Sequence, residues 1–133
     1  MRAVLDPNVL VAALLSPTGA PAQIVSRWLA GGFELVVSES LLEELERALG
    51  YPKLRDRIPA IDASEFIALL RTAAVVAPDP PVARRRSPDP GDDYLLELAE
   101  SQGAHLVSGD HHLLRLTDRF PISSARGFLE LLP

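Results

Sequence analysis

The chain reads as an α/β protein built on a mainly parallel sheet. Short apolar runs alternate along it with longer stretches of helical periodicity, the pattern of strands joined by covering helices. Two of those runs end at or just before a carboxylate, Asp6 and Asp110, and a new helical pattern follows each. A length of 133 residues suits one domain with a real core. No repeat, low-complexity tract or linker divides it, so a single domain over residues 1–133 is expected.

The elements follow in order. Ala3 to Asp6 forms the first strand, and Pro7 fits the first position of a helix, where its missing N–H goes unused. That helix runs from Asn8 to Leu15 and stops at Ser16-Pro17-Thr18-Gly19. A second helix spans Pro21 to Leu29, with Ile24, Trp28 and Leu29 on its apolar side, and ends at Gly31-Gly32. Phe33 to Val37 is the second strand. Ser38 caps a helix from Glu39 to Leu49, whose apolar side carries Leu41, Leu42, Leu45 and Leu49, with Glu44 at the margin.

Gly50-Tyr51-Pro52 interrupts the chain, a short helix covers Pro52 to Arg57, and Ile58 to Asp62 is a connection. Ala63 to Ala73 is an amphipathic helix with Phe66, Leu69 and Leu70 inward, and Ala74 to Val76 the third strand. Pro78, Pro80, Pro81, Pro88 and Pro90 make the stretch from Ala77 to Pro90 irregular. A helix from Gly91 to Gln102 buries Leu95, Leu96, Leu98 and Ala99, and Gly103 stops it. The fourth strand is Ala104 to Val107, a short helix His111 to Leu116, the fifth strand Pro121-Ile122, and the closing helix Ala125 to Leu131.

Composition narrows the function. A hydrophobic fraction of 47% excludes disorder. With no cysteine there is no disulfide framework, thiolate metal site or cysteine nucleophile, which fits a reducing cytoplasm. The N-terminus enters a strand without a secretory signal pattern, and no apolar run approaches the roughly 18 residues of a membrane span. The net charge of −5 is unlike that of a general nucleic-acid binder. Two local basic stretches, Lys53 to Arg57 and Arg84-Arg85-Arg86, can still hold phosphates, or else are solvated surface.

In parallel α/β sheets, sites form beyond the carboxyl ends of the strands. Asp6 and Asp110 stand there, Asp93 lies in the first turn of the helix before the Asp110 strand, and Glu44 lies one turn into the helix after the second strand. Each acid alone reads more readily as a helix cap or turn former. Together they form a set whose like charges oppose ionisation until a divalent cation reverses the balance. Oxygen-only ligands favour Mg²⁺ or Mn²⁺, and phosphodiester hydrolysis by metal-activated water is the natural chemistry.

At this point the sequence resembles the PIN domain family, and within it the VapC-like toxin ribonucleases of toxin–antitoxin pairs. The resemblance runs from Arg2 to about Leu131. It rests on Val4-Leu5-Asp6-Pro7-Asn8-Val9-Leu10, on Ser38 to Leu49 with Glu44-Leu45 inside, on Asp89 to Ala99, and on Leu106-Val107-Ser108-Gly109-Asp110. It implies a three-layer α/β/α sandwich with a five-stranded parallel sheet in the order 3-2-1-4-5, and a Mg²⁺- or Mn²⁺-dependent endoribonuclease. Asp6, Glu44, Asp93 and Asp110 match the family's metal-binding acids, and Asn8 and Ser108 the polar positions that steady them. Asp93 is chosen over Asp92 and Asp89 because it precedes Leu96 and Ala99 by the family's intervals. Pro7 departs from the Thr, Ser or small residue usual there. The resemblance also implies an RNA substrate, a small antitoxin partner and a homodimer, for which the faces near Val11-Leu14 and Ile24-Trp28 are candidates. Arg84, Arg85 and Arg86, just before the acidic loop, are candidates to grip the RNA backbone.

Other readings meet specific obstacles. A haloacid-dehalogenase-type phosphatase needs a second Asp where Asn8 stands, and a phospho-receiver needs a late lysine, whereas the one lysine is Lys53. A nucleotide-binding Rossmann domain needs a glycine-rich first turn, which Asp6-Pro7-Asn8 is not. A PIN-like scaffold that binds RNA or protein and cuts weakly or not at all is the alternative from another class. His111-His112 is read as exposed helix surface and His105 as packing or strand edge. Trp28 is read as core or dimer contact, while Tyr94 is open between packing and base stacking.

Overall fold

The computed structural model describes residues 1–81 and 93–133. Arg84, Arg85, Arg86, Asp89 and Asp92 lie outside the described residues. The elements are β1 (Arg2–Leu5), α1 (Pro7–Leu15), α2 (Ala20–Leu29), β2 (Glu34–Val37), α3 (Glu39–Leu49), α4 (Pro52–Arg55), α5 (Ala60–Ala73) and β3 (Val75–Val76). After them come α6 (Asp93–Ser101), β4 (His105–Val107), α7 (His111–Leu114), β5 (Ile122–Ser123) and α8 (Ala125–Leu131).

The five strands pair in parallel in the order β3-β2-β1-β4-β5, as expected. Val4 pairs with Val36 on one side and Leu106 on the other, and Leu5 with Val107. The chain steps outward from β1 to β2 to β3, then returns to β4 and β5, so its direction of travel reverses between β1 and β4. Right-handed crossovers then put the helices of the two halves on opposite faces. The packing of the crossover helices agrees, with α1 against α2 and α3 and α6 against β1 and β4, while the closing helix α8 lies against α2.

Strand interiors are apolar on both faces, as a covered parallel sheet requires. Ala3, Val4, Leu5, Val36, Val37, Leu106 and Val107 are buried, with Leu41, Leu42, Leu45, Leu95, Leu98 and Phe128 packed over them. Local signals set the helix ends. The Ser38 hydroxyl accepts from the Leu41 N–H, and the Ser124 hydroxyl from the Gly127 N–H. Gly31 and Gly103 take φ of +85° and +59° after α2 and α6, the left-handed conformation that glycine tolerates.

Several boundaries differ from the sequence reading for physical reasons. Helix α5 begins at Ala60, not Ala63, because Pro59 supplies the extended residue before it and its carbonyl accepts from the Ala63 N–H. Strand β5 is Ile122–Ser123, not Pro121-Ile122. Pro121 has no N–H for the ladder, and joins it only through its carbonyl, which accepts from Leu106. Helix α7 closes at Leu114 rather than Leu116 as the Leu116 N–H turns back to the Leu113 carbonyl. Helix α4 likewise ends at Arg55, where the Arg57 N–H bonds the Leu54 carbonyl.

Val11, Ile24 and Trp28 are buried, and Leu14 packs half-buried against the same core. The faces expected to meet a second copy are therefore mostly interior, and Trp28 is core. His105 stays in the packing role expected of it: its Nε2 lies 2.7 Å from the Ser123 hydroxyl, its ring is tilted against Phe128, and burial pushes its pKa below the ordinary value. Among the described residues no single helix is long and apolar enough to cross a membrane.

A Cβ at Gly103 meets nothing within 4 Å, so only backbone strain opposes a side chain there. Gly103→Ala is expected to lower unfolding free energy by about 1–2 kcal/mol in urea denaturation, with an unchanged m-value.

Candidate active site

The reversal between β1 and β4 opens a crevice at their carboxyl ends, the place where an open α/β sheet positions ligands. Asp6 follows β1 directly. Its backbone N–H donates to the Val107 carbonyl at 2.9 Å, which continues the β1–β4 ladder to the rim. Ser108 follows β4, and its N–H donates to the Ser123 carbonyl at 3.0 Å. Both acid-bearing turns are thus held by the sheet itself.

The Asp6 carboxylate is buried, at 5% exposure. Its Oδ1 accepts from the Asn8 backbone N–H at 2.9 Å and its Oδ2 from the Ser108 hydroxyl at 2.8 Å. The same hydroxyl oxygen accepts from the Asp110 N–H at 3.0 Å, so Ser108 links the first acid to the last. Asp110 is half-buried, and its Oδ1 accepts from the His112 N–H at 2.8 Å. The cap reading of these two acids holds: Asp6 caps α1 and Asp110 caps α7.

Pro7 occupies the first position of α1, where no N–H is needed, and Asp6 reaches past it to Asn8. Asn8 bonds Asp6 through its backbone amide while the residue itself is exposed; Ser108 bonds it through its side chain.

Glu44 projects half-buried from α3 and accepts a hydrogen bond on Oε2 from the Tyr94 hydroxyl. Tyr94 is the residue whose part in the site the sequence left open. Its position beside Asp93, one step round the same helix, is the signal that places it at this rim. Asp93 is buried at 2% exposure as the first residue of α6, the helix that packs on β1 and β4. A carboxylate there is favoured by the positive end of the helix.

The charges act on one another. Burial pushes the Asp6 carboxyl above the ordinary carboxylate range; the Asn8 and Ser108 hydrogen bonds oppose that, and the negative charges of Glu44 and Asp110 add to it. Asp6, Glu44 and Asp110, from three distant parts of the chain, therefore share one electrostatic environment. Among the described residues, no three His, Cys, Asp or Glu side chains stand grouped to hold a metal ion. Each of these carboxylates is turned instead towards a donor of the protein. What these acids and Ser108 offer is oxygen donors, and burial is the main cost of ionising Asp6, a cost that a bound cation would offset. That chemistry fits a hard divalent ion that keeps most of its waters and uses few carboxylates.

His111 and His112 are exposed, as expected. A cavity of about 460 Å³ opens at the opposite end of the strands, bordered by Arg2, Leu96, His105, Phe120 and Ile122. It is remote from Asp6 and Asp110, which stand beyond the carboxyl ends of β1 and β4.

A sequence profile described as PIN domain matches residues 2–112. Among curated proteins, the uncharacterized protein MJ1680 of Methanocaldococcus jannaschii is 25% identical over 118 residues, covering 89% of this chain and 76% of that protein. Among solved structures, PAE2754 from Pyrobaculum aerophilum superposes with a TM-score of 0.70 at 22% identity, covering 98% of this chain and 93% of that one. VapBC2 from Rickettsia felis, bound to a DNA fragment from its promoter, gives a TM-score of 0.63 at 14% identity, with 93% and 98% covered. FitAcB from Neisseria gonorrhoeae gives 0.58 at 11% identity over the same shares of each chain. These structural likenesses are likenesses of fold.

The raised Asp6 pKa fixes the sign of a stability effect. In metal-free protein the stabilisation tied to protonated Asp6 is full below its unfolded value of 3.8 and is lost as pH rises through the folded pKa. Asp6→Asn, which carries no charge, is therefore expected to raise the thermal unfolding midpoint at neutral pH. The gain should shrink towards zero below pH 3.8. A pH-independent difference between the two proteins in chelator-treated buffer would contradict this.

Proposed function

Because the chain belongs to the PIN domain family, whose members are generally nucleases, we propose that it is a divalent-metal-dependent endoribonuclease and the toxin of a toxin–antitoxin pair. The observation that supports this reading is buried Asp6 at the β1/β4 crevice, on which the charges of Glu44 and Asp110 act and which Ser108 links to the Asp110 backbone. In this reading residues 1–133 act as one PIN unit in the cytoplasm, with RNA as substrate and a small antitoxin as partner. VapBC and FitAB, among the structural neighbours, are toxin–antitoxin proteins, which supports the partner. A homodimer belongs to the reading through a surface other than Ile24 and Trp28.

Asp6, Asp93 and Asp110 would hold a Mg²⁺ or Mn²⁺ ion, with Glu44 direct or through water. When bound, the ion supplies charge stabilisation at the scissile phosphate and a lower pKa for the attacking water. The chain supplies the rest. The Asn8 N–H and the Ser108 hydroxyl hold Asp6 in one orientation, and Ser108 at the same time fixes the Asp110 backbone. The sheet ladder fixes the separation of the two turns. Arg84, Arg85 and Arg86 supply phosphate contacts in this proposal, and no side chain acts as a nucleophile.

A second reading, a PIN scaffold that binds RNA or protein without cutting, draws on the cap roles of Asp6 and Asp110, which give both acids a structural reason to be present.

Incubation of the purified protein with a mixed pool of single-stranded RNAs and Mn²⁺ separates the two. Internal cleavage is expected, abolished by chelator and reduced to the no-protein background by Asp6→Asn and by Asp110→Asn. RNA that stays intact in Mn²⁺ while still binding the protein would overturn the nuclease reading in favour of the scaffold.

A further inference from the structure

We propose that Tyr94 is a positioning residue of the acid cluster: its hydroxyl holds Glu44 at the crevice and joins the two helical flanks of the site. This rests on the function proposed above and adds to it a residue outside the four acids and their Asn8 and Ser108 supports.

Glu44 is unlike the other acids in how it reaches the rim. Asp6 and Asp110 are short side chains on turns anchored by the sheet ladder. Glu44 is a long side chain on α3, at the margin of the stripe of Leu41, Leu42 and Leu45 that docks the helix. Nothing in that docking selects one orientation of its carboxylate, and a half-exposed glutamate has much rotamer freedom to lose. The Tyr94 hydroxyl removes that freedom by donating to Glu44 Oε2. A phenol donating to a carboxylate makes a charge-assisted bond, stronger than one between neutral groups.

The position of Tyr94 suits the task. Asp93 and Tyr94 are successive residues at the start of α6, about 100° apart around a helix of 3.6 residues per turn. Asp93 is buried and Tyr94 half-buried, so the two side chains leave the helix in different directions. Helix α3 follows β2 and helix α6 precedes β4, on the two sides of the point where strand order reverses. The Glu44–Tyr94 bond therefore spans the crevice from one flank to the other. It turns the Glu44 carboxylate towards α6, the helix that carries Asp93 and packs on β1 and β4. A ring with no hydroxyl would fill the same space and leave Glu44 to solvent.

The test reads the bond first without metal and then through metal binding. The chain has two tyrosines, and Tyr51 is exposed and distant in sequence, so Tyr51→Phe assigns the Tyr94 ¹³Cζ resonance in tyrosine-labelled protein. In chelated protein, Glu44→Gln is expected to shift that resonance, since the hydroxyl then faces a neutral amide. Tyr94→Phe, which keeps the ring and the fold, is expected to weaken Mn²⁺ binding measured by electron paramagnetic resonance on the order of tenfold. Its thermal midpoint in chelator should stay close to that of the unsubstituted protein. An unmoved Tyr94 resonance in Glu44→Gln, or Mn²⁺ affinity unchanged in Tyr94→Phe, overturns the positioning role and leaves the nuclease reading intact. Failure of the unsubstituted protein itself to bind Mn²⁺ overturns both.

Discussion

The parallel pairing of β1 with β4 is the constraint on which the rest of the site depends. These strands are adjacent in the sheet but about a hundred residues apart in the chain, Leu5 lying beside Val107. A parallel neighbour so far along the sequence is reached only after the chain has built the β1–β2–β3 half and crossed back. The crossing leaves a gap between helical layers at the carboxyl ends of β1 and β4. The ladder also sets what stands beside that gap: one residue beyond each strand, the Asp6 N–H still bonds Val107, and Ser108 bonds both the sheet and Asp6. A slip of one residue would turn Asp6 and Ser108 to opposite faces and remove the bridge.

The geometry is costly for the fold taken alone. A carboxylate at 5% exposure with two like charges acting on it opposes folding at neutral pH, and its pKa is raised accordingly. An amide or hydroxyl side chain would cap α1 without that burden. The cap role explains an oxygen acceptor at position 6, and a role in binding a cation would explain why that acceptor is a buried acid. The local supports follow the same logic: each donor on Asp6, the Asn8 N–H and the Ser108 hydroxyl, stabilises the ionised form that burial disfavours.

Much of this was legible in the sequence, because the strongest signals are local. Apolar runs of strand length ending at Asp6 and Ser108, Pro7 at a helix start, Ser38 as a cap and Gly103 as a stop each have one good structural solution, and the structure adopts it. The strand order entered with the family resemblance, since periodicity alone does not order strands. Features set by tertiary context were harder to read. Pro121 joins its strand by a carbonyl alone, and Pro59 starts a helix where exposed Ile61 and Asp62 show no periodic pattern. Ile24 and Trp28 look like any apolar helix face until α1 and α8 are seen to pack against their helix. The Glu44–Tyr94 bond joins residues fifty positions apart, and nothing in the spacing announces it.

The central claim is that the β1/β4 crevice is a cation site for phosphodiester chemistry. Its most direct test is a crystal of the protein grown with Mn²⁺ and measured for anomalous scattering at the manganese edge. The account predicts a peak between Asp6 and Asp110, absent in a crystal of Asp6→Asn grown the same way. A peak found only elsewhere, for instance at exposed His111 and His112, or none at the crevice at saturating Mn²⁺, would contradict it.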